Sequence, residues 1–166
     1  PVARKRVDKM EVSASLFSVY MGFKKEVKDL GNKNYATLIF GPNVKNLKDM
    51  IRTNKGPFDD RNFVFVDYSQ IDSGLAPKGK SFGVICTVDY LTDWENLTKE
   101  EYYAKKEEIA QMFFKKLEKE IPGIIQEIDY YDDDANYYEE ESETDEESDD
   151  YHTGSDGRKK HKKKVN

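Results

Sequence analysis

The sequence has little of what small proteins commonly use for chemistry or covalent stapling. A single cysteine, Cys86, excludes an internal disulfide framework and every multi-cysteine metal site. In its apolar strand-like surroundings Cys86 reads as a small packing residue rather than a nucleophile. Both histidines, His152 and His161, lie near the C-terminal end, so the part expected to fold has none for general-base work or for a Ser-His or Cys-His pair. No apolar run reaches the ~18 residues of a transmembrane segment. The opening PVARKRVDKMEV lacks the apolar centre of a secretory signal. Pro1 in place of Met points to a removed initiator or a piece of something longer. None of the ten glycines falls into G-x-G-x-x-G or a Walker loop, and H-E-x-x-H and G-x-S-x-G are also missing. No catalytic, cofactor-binding or metal-ligating residue is therefore assigned from motifs.

Charge is present, and unevenly spread. Residues 1–126 carry 21 Lys and Arg against 18 Asp and Glu, whereas residues 127–157 carry 15 acidic residues and no Lys or Arg. The closing RKKHKKKVN restores +6 and leaves the chain at −6. Such an acidic stretch buries too little apolar surface to offset the entropy of ordering it. The expected organisation is a basic N-terminal lead over 1–11, a folded domain over 12–128 and a disordered, acidic then basic tail over 129–166.

Within the domain, alternation and β-branched content predict strands over 12–21, 35–40, 62–68 and 81–90. Gly22 reads as the end of the first, and Gly83 as a bulge or a close backbone approach inside the fourth. A helical turn or two fits FKKEVKDLGN. A short helix is expected after Gly41-Pro42, with Asn43 as its cap and Val44, Leu47 and Met50 or Ile51 at helical spacing. The longest element is a helix over 98–121. It opens with Thr98 and Glu101 at capping-box spacing, carries Tyr102, Ile109, Ala110, Phe113, Phe114, Leu117 and Ile121 on one stripe, and stops at Pro122-Gly123. The order predicts an α+β fold: a mainly antiparallel sheet of about four strands with a short and a long helix on one face.

Chemical constellations are sparse. Asp89 and Asp93 form a nominal carboxylate pair, but acidic residues at strand ends and before helices are ordinary solvated features. Asn96-Leu97-Thr98 matches a glycosylation acceptor, although Thr98 already serves as a cap. In the tail, Ser142 and Thr144 have the acidic context favoured by acidophilic kinases, and the carboxylates lack the turn and bidentate Glu that fix Ca²⁺ in an EF-hand. The final basic cluster suits nucleic acid, anionic lipid or an import receptor. The balanced first 126 residues show no basic stripe with interleaved aromatics, which ranks nucleic acid last.

Three stretches carry a resemblance. ASLFSVYMGFKKEVKDLG, SQIDSGLAPKGKSFGVICTV and DWENLTKEEYYAKKEEIAQMFFKKLEKEIPGI resemble, in that order and spacing, the substrate domain of the FAD-dependent oxidoreductases that include phytoene desaturase, carotenoid isomerase and retinol saturase. The family's loop D-P-S-L-A-P-x-G stands here as Asp72-Ser73-Gly74-Leu75-Ala76-Pro77-Lys78-Gly79, with Ser73-Gly74 in place of Pro-Ser. The likeness spans roughly residues 12–128. It implies a fragment of a flavoprotein acting on a carotenoid, retinoid or other isoprenoid, inactive alone because the FAD-binding segments are not in this chain. FAD is thus implied by resemblance and not expected to bind here. Phe17, Tyr20 and Phe82 are the expected substrate-lining residues. The resemblance also implies an intracellular protein with membrane association, and says nothing of oligomeric state. The alternative is a non-enzymatic interaction protein that works through its acidic, phosphorylatable tail.

Overall fold

In a computed structural model the described residues are 13–134, with the backbone of 163–164. The remainder of the acidic and basic tail, including Ser142 and Thr144, lies outside them. Five antiparallel strands form the sheet: β1 Ser15–Phe23, β2 Ala36–Ile39, β3 Phe63–Asp67, β4 Ser81–Asp89 and β5 Ile128–Asp134. A two-residue β6, Lys163–Lys164, pairs with the outer edge of β5. The strand order is β2-β3-β4-β1-β5-β6. Helix α1 spans Leu47–Thr53, α2 Lys99–Glu120 and α3 Ile124–Glu127. The expected α+β class is observed.

The core lies between α2 and one face of the sheet. Because strand side chains alternate, Phe17, Val19, Met21, Phe23, Phe63, Phe65 and Ile85 all project to that face and are fully buried. The α2 stripe of Tyr102, Ile109, Ala110, Phe113, Phe114 and Leu117 covers them. Phe63 and Phe113 meet with ring centroids 4.8 Å apart, and Phe17 stacks on Trp94 at 5.8 Å. The helix begins where the sequence says it should: the Thr98 N–H donates to Glu101 Oε2 at 2.8 Å, and the Glu101 N–H to Thr98 Oγ1 at 3.2 Å. It ends before Gly123, whose φ of 89° is left-handed. Glu118 then accepts from the Gly123 and Ile125 N–H groups at 2.7 and 3.0 Å, fastening α3 directly behind α2.

Three expectations are corrected. First, ordered structure continues past residue 128, since β5 pairs with β1 through Asp134. Two tyrosines draw this acidic stretch onto the sheet. Tyr131 is buried edge-on against Phe114 at 5.0 Å and donates its hydroxyl to Glu107 at 2.5 Å. Tyr130 lies over Gly22. Second, β1 runs through Gly22 to Phe23 rather than stopping there. A Cβ at Gly22 would sit 2.1 Å from the Tyr130 ring, so glycine makes room for an aromatic neighbour. At Gly83 the register is continuous, and a Cβ would lie 2.8 Å from Phe65, which selects close approach over a bulge. Third, the cap of α1 is Asn46, not Asn43; its side chain accepts from the N–H groups of Lys48 and Asp49. Asn43 instead donates to Asp60 at 2.9 Å.

Two substitutions separate these contributions. Thr98→Ala should lower unfolding free energy by about 1 kcal/mol, the usual cost of a lost cap. Phe113→Ala, opening a cavity under the sheet, should cost about 3–5 kcal/mol. Thermal unfolding followed by circular dichroism measures both, and equal losses would contradict the burial described here.

Candidate functional site

Antiparallel sheets with one face in water usually alternate apolar with polar residues. This sheet does not. Most side chains pointing away from α2 are also apolar, Ser18 and Asp132 being polar exceptions, and strand register arranges them in cross-strand rows. At one end Phe82 of β4 lies opposite Gly22 of β1, with Tyr130 beyond it on β5. The next row is Asp132, Tyr20, Val84, Val66 and Ala36. Ser18, Cys86, Val64 and Leu38 follow, and then Leu16 with Val88. From Leu16 to Gly22 the strip is about 20 Å long at ~3.3 Å per residue. No helix covers it among the described residues: Leu16 is 55% exposed and Leu38 45%. An open apolar face of this kind marks a place where something else binds.

The strip is aromatic at one end. Tyr20 stacks on Phe82 at 6.2 Å, Phe82 meets Tyr68 at 5.6 Å, and Tyr68 meets Tyr35 edge-on at 5.7 Å. Four rings from four separate segments therefore form one continuous row. Asp67 fixes the turn that carries Tyr68. It is fully buried and accepts from the Ser69 N–H and hydroxyl, from Asn32 and from Gln70, all within 3.0 Å. Beside Tyr68 and Phe82 a cavity of about 510 Å³ opens beneath the Pro/Gly loop, with Ser69, Gln70, Pro77 and Lys80 on its walls.

The expected lining residues divide. Tyr20 and Phe82 lie on the open face, stacked against each other. Phe17 points the other way, has no exposed surface and packs among Phe58, Trp94 and Phe113. One-residue alternation puts Phe17 and Tyr20 on opposite faces. Cys86 is on the open face, half-buried, with its sulfur 3.4 Å from the Ser18 hydroxyl.

The Asp89–Asp93 pair occurs in a different place and does different work. Arg61, 1% exposed, reaches between them: Nε donates to Gly56 O at 2.7 Å, one guanidinium nitrogen to Val88 O at 3.1 Å, and the other to Asp93 at 2.8 Å. Its carbon lies 4.0 Å over the Phe58 ring. Asp89 takes the indole N–H of Trp94 at 2.7 Å. These groups satisfy one another and tie β4 to the turn before α2, so Asp89 and Asp93 are both engaged. Burial raises the Asp89 carboxyl above its ordinary range, against the opposing bonds from Trp94 and the Tyr90 N–H. Residue spacing gave no signal for Arg61, because its partners come from two separate stretches of chain, 56–58 and 88–93.

No protein-family model matches the chain. It is similar to prolycopene isomerase, chloroplastic, of Arabidopsis thaliana: 32% identical over 133 residues, covering 78% of this chain and 20% of that protein. The chain thus spans about a fifth of the length of the curated relative it matches.

Arg61→Leu should destabilise the fold by about 3–5 kcal/mol, since it strands buried acceptors and the Asp93 carboxylate. For Asp89 the pH sense is distinct. Its raised folded pKa means its contribution is fully present below the ordinary carboxylate pKa and fades as pH rises through the raised value. Asp89→Asn should remove that decline from the difference in unfolding free energy, measured by urea titration across the acid range.

Proposed function

We propose that this chain is the substrate-covering lobe of a carotenoid- or isoprenoid-acting oxidoreductase of the phytoene desaturase and carotenoid isomerase type. The observation that carries the reading is the open face: a ~20 Å apolar strip, with an aromatic row across one end. A polyene is long, flat and apolar, and gains from dispersion and from stacking on rings. The identity with prolycopene isomerase supports the same assignment. On this reading Tyr20 and Phe82 touch the polyene, while Phe17 supports the sheet from behind.

Relatives of this type use FAD, and the residues here do not fit one. A flavin pyrophosphate sits on a Gly-rich turn between a parallel strand and a helix. Every strand pair among the described residues is antiparallel, and no G-x-G-x-x-G occurs in the sequence. This chain's share of the work is to bind, orient and keep water from the polyene. Redox chemistry, saturating, desaturating or isomerising double bonds, would belong to a flavin held by residues other than those described here.

The test is induced circular dichroism in the visible band of a detergent-dispersed carotenoid. The purified chain should induce a signal, and Tyr20→Asp with Phe82→Asp should weaken binding about tenfold without lowering the melting temperature. Phe17→Leu should do the reverse. No induced signal, or equal binding by the Tyr20/Phe82 variant, would overturn the assignment.

A further inference from the structure

Helix α1 is built inside out. A short surface helix normally turns its aliphatic residues inward. Here Leu47 is 78% and Ile51 69% exposed, and the one buried residue is Thr53. The two aliphatic residues stand four apart, hence on one face.

This orientation is held firmly. The Gly41 N–H donates to Asn62 Oδ1 at 2.9 Å, and the Asn62 amide donates to Thr53 Oγ1 at 3.2 Å and Asn54 Oδ1 at 2.8 Å. Asn62, itself buried, therefore grips the segment both before and after the helix. Gly41 packs directly on the Asp60 backbone, where a Cβ would lie 1.9 Å from Asp60 O. Thr53 faces inward because the Asn62 amide needs a partner, and that leaves Leu47 and Ile51 facing out.

From 45 to 55 the charges on and beside the helix are mostly cationic, Asp59 and Asp60 lying beyond it. Lys45, Lys48 and Lys55 are exposed and have no ion-pair partner among the described residues. Arg52 is paired only loosely, at 3.6 Å from Asp49. Asp49, the sole acidic residue from 41 to 56, is also occupied in accepting from the Lys45 N–H and the Asn46 amide. Apolar side chains ringed by uncompensated lysines match a bilayer surface with anionic headgroups, where the aliphatics enter the acyl boundary and the cations stay among phosphates.

We propose that α1 is an interfacial membrane contact, with Leu47 and Ile51 inserted and Lys45, Lys48, Arg52 and Lys55 on anionic lipid. Leu38 and Phe40, exposed just before the helix, lead from it to the open face, since Leu38 shares a cross-strand row with Val64. A bilayer held at α1 would lie at the β2 edge of the apolar strip. The contact does not depend on what that strip binds.

Cosedimentation of the full chain with phosphatidylcholine vesicles, with and without phosphatidylglycerol, tests this. The chain should bind the anionic vesicles, less so as salt rises, and bind neutral ones at least tenfold more weakly. Leu47→Asp with Ile51→Asp should reduce binding to anionic vesicles about tenfold, and Lys45→Glu with Lys48→Glu should remove most of the salt dependence. Leu91→Asp, altering another exposed leucine elsewhere (55% exposed), should leave binding unchanged. Binding that survives the Leu47/Ile51 change, or that is lost with Leu91→Asp, would overturn the proposal. So would a Leu47/Ile51 variant that dissolves a dimer in sedimentation velocity while vesicle binding stays at the wild-type level. Retained carotenoid binding by the Leu47/Ile51 variant separates this outcome from a failure of the polyene reading.

Discussion

The strands of this sheet are largely apolar on both sides, and the described residues cover only one. β4 shows the constraint most plainly. Ile85 and Thr87 go under α2 while Phe82, Val84, Cys86 and Val88 turn outward. A one-residue slip would exchange the two sets, yet Gly83, packed against Phe65 and Phe23, pins β4 between β3 and β1, while Gly22 makes room for Tyr130 just before the β1–β5 register shifts. The glycines thus fix which face is core. They also fix which face is left for something else.

The two faces differ in how they are organised. The helix-covered face is a mixed packing of Phe, Val, Ile and Met, ended by the Arg61 network that ties β4 to the approach of α2. On the open face the rings are in sequence, Tyr20 to Phe82 to Tyr68 to Tyr35, with a buried carboxylate, Asp67, holding the turn that contributes the third. A fully buried polar hub beneath a half-buried ring costs stability unless every bond is made. Its four donors make them.

Much of the fold was legible because local signals agreed. The capping box at Thr98 and Glu101 and the stripe from Tyr102 to Leu117 placed α2 within a residue, and alternation located four strands. What was missed depended on partners distant in sequence. β5 is acidic and reads as solvated chain until Tyr130 meets Gly22 and Tyr131 meets Phe114. The outward turn of Leu47 and Ile51 follows from Asn62, which nothing in α1 itself announces. Of the site, Tyr20 and Phe82 were readable as strand aromatics. Separating them from Phe17 required only the period of two, but Tyr68 and Tyr35 join the row through tertiary structure alone.

The central claim is that the outward face, and not the interior, receives a long apolar molecule. Methyl NMR spectra recorded with and without a carotenoid test it directly, because valines lie on both sides of the sheet. The account predicts shifts at Val64, Val66, Val84 and Val88 with Val19 and Ile85 unmoved. Shifts concentrated at Val19 and Ile85, or none at the outward valines under saturating ligand, would contradict it.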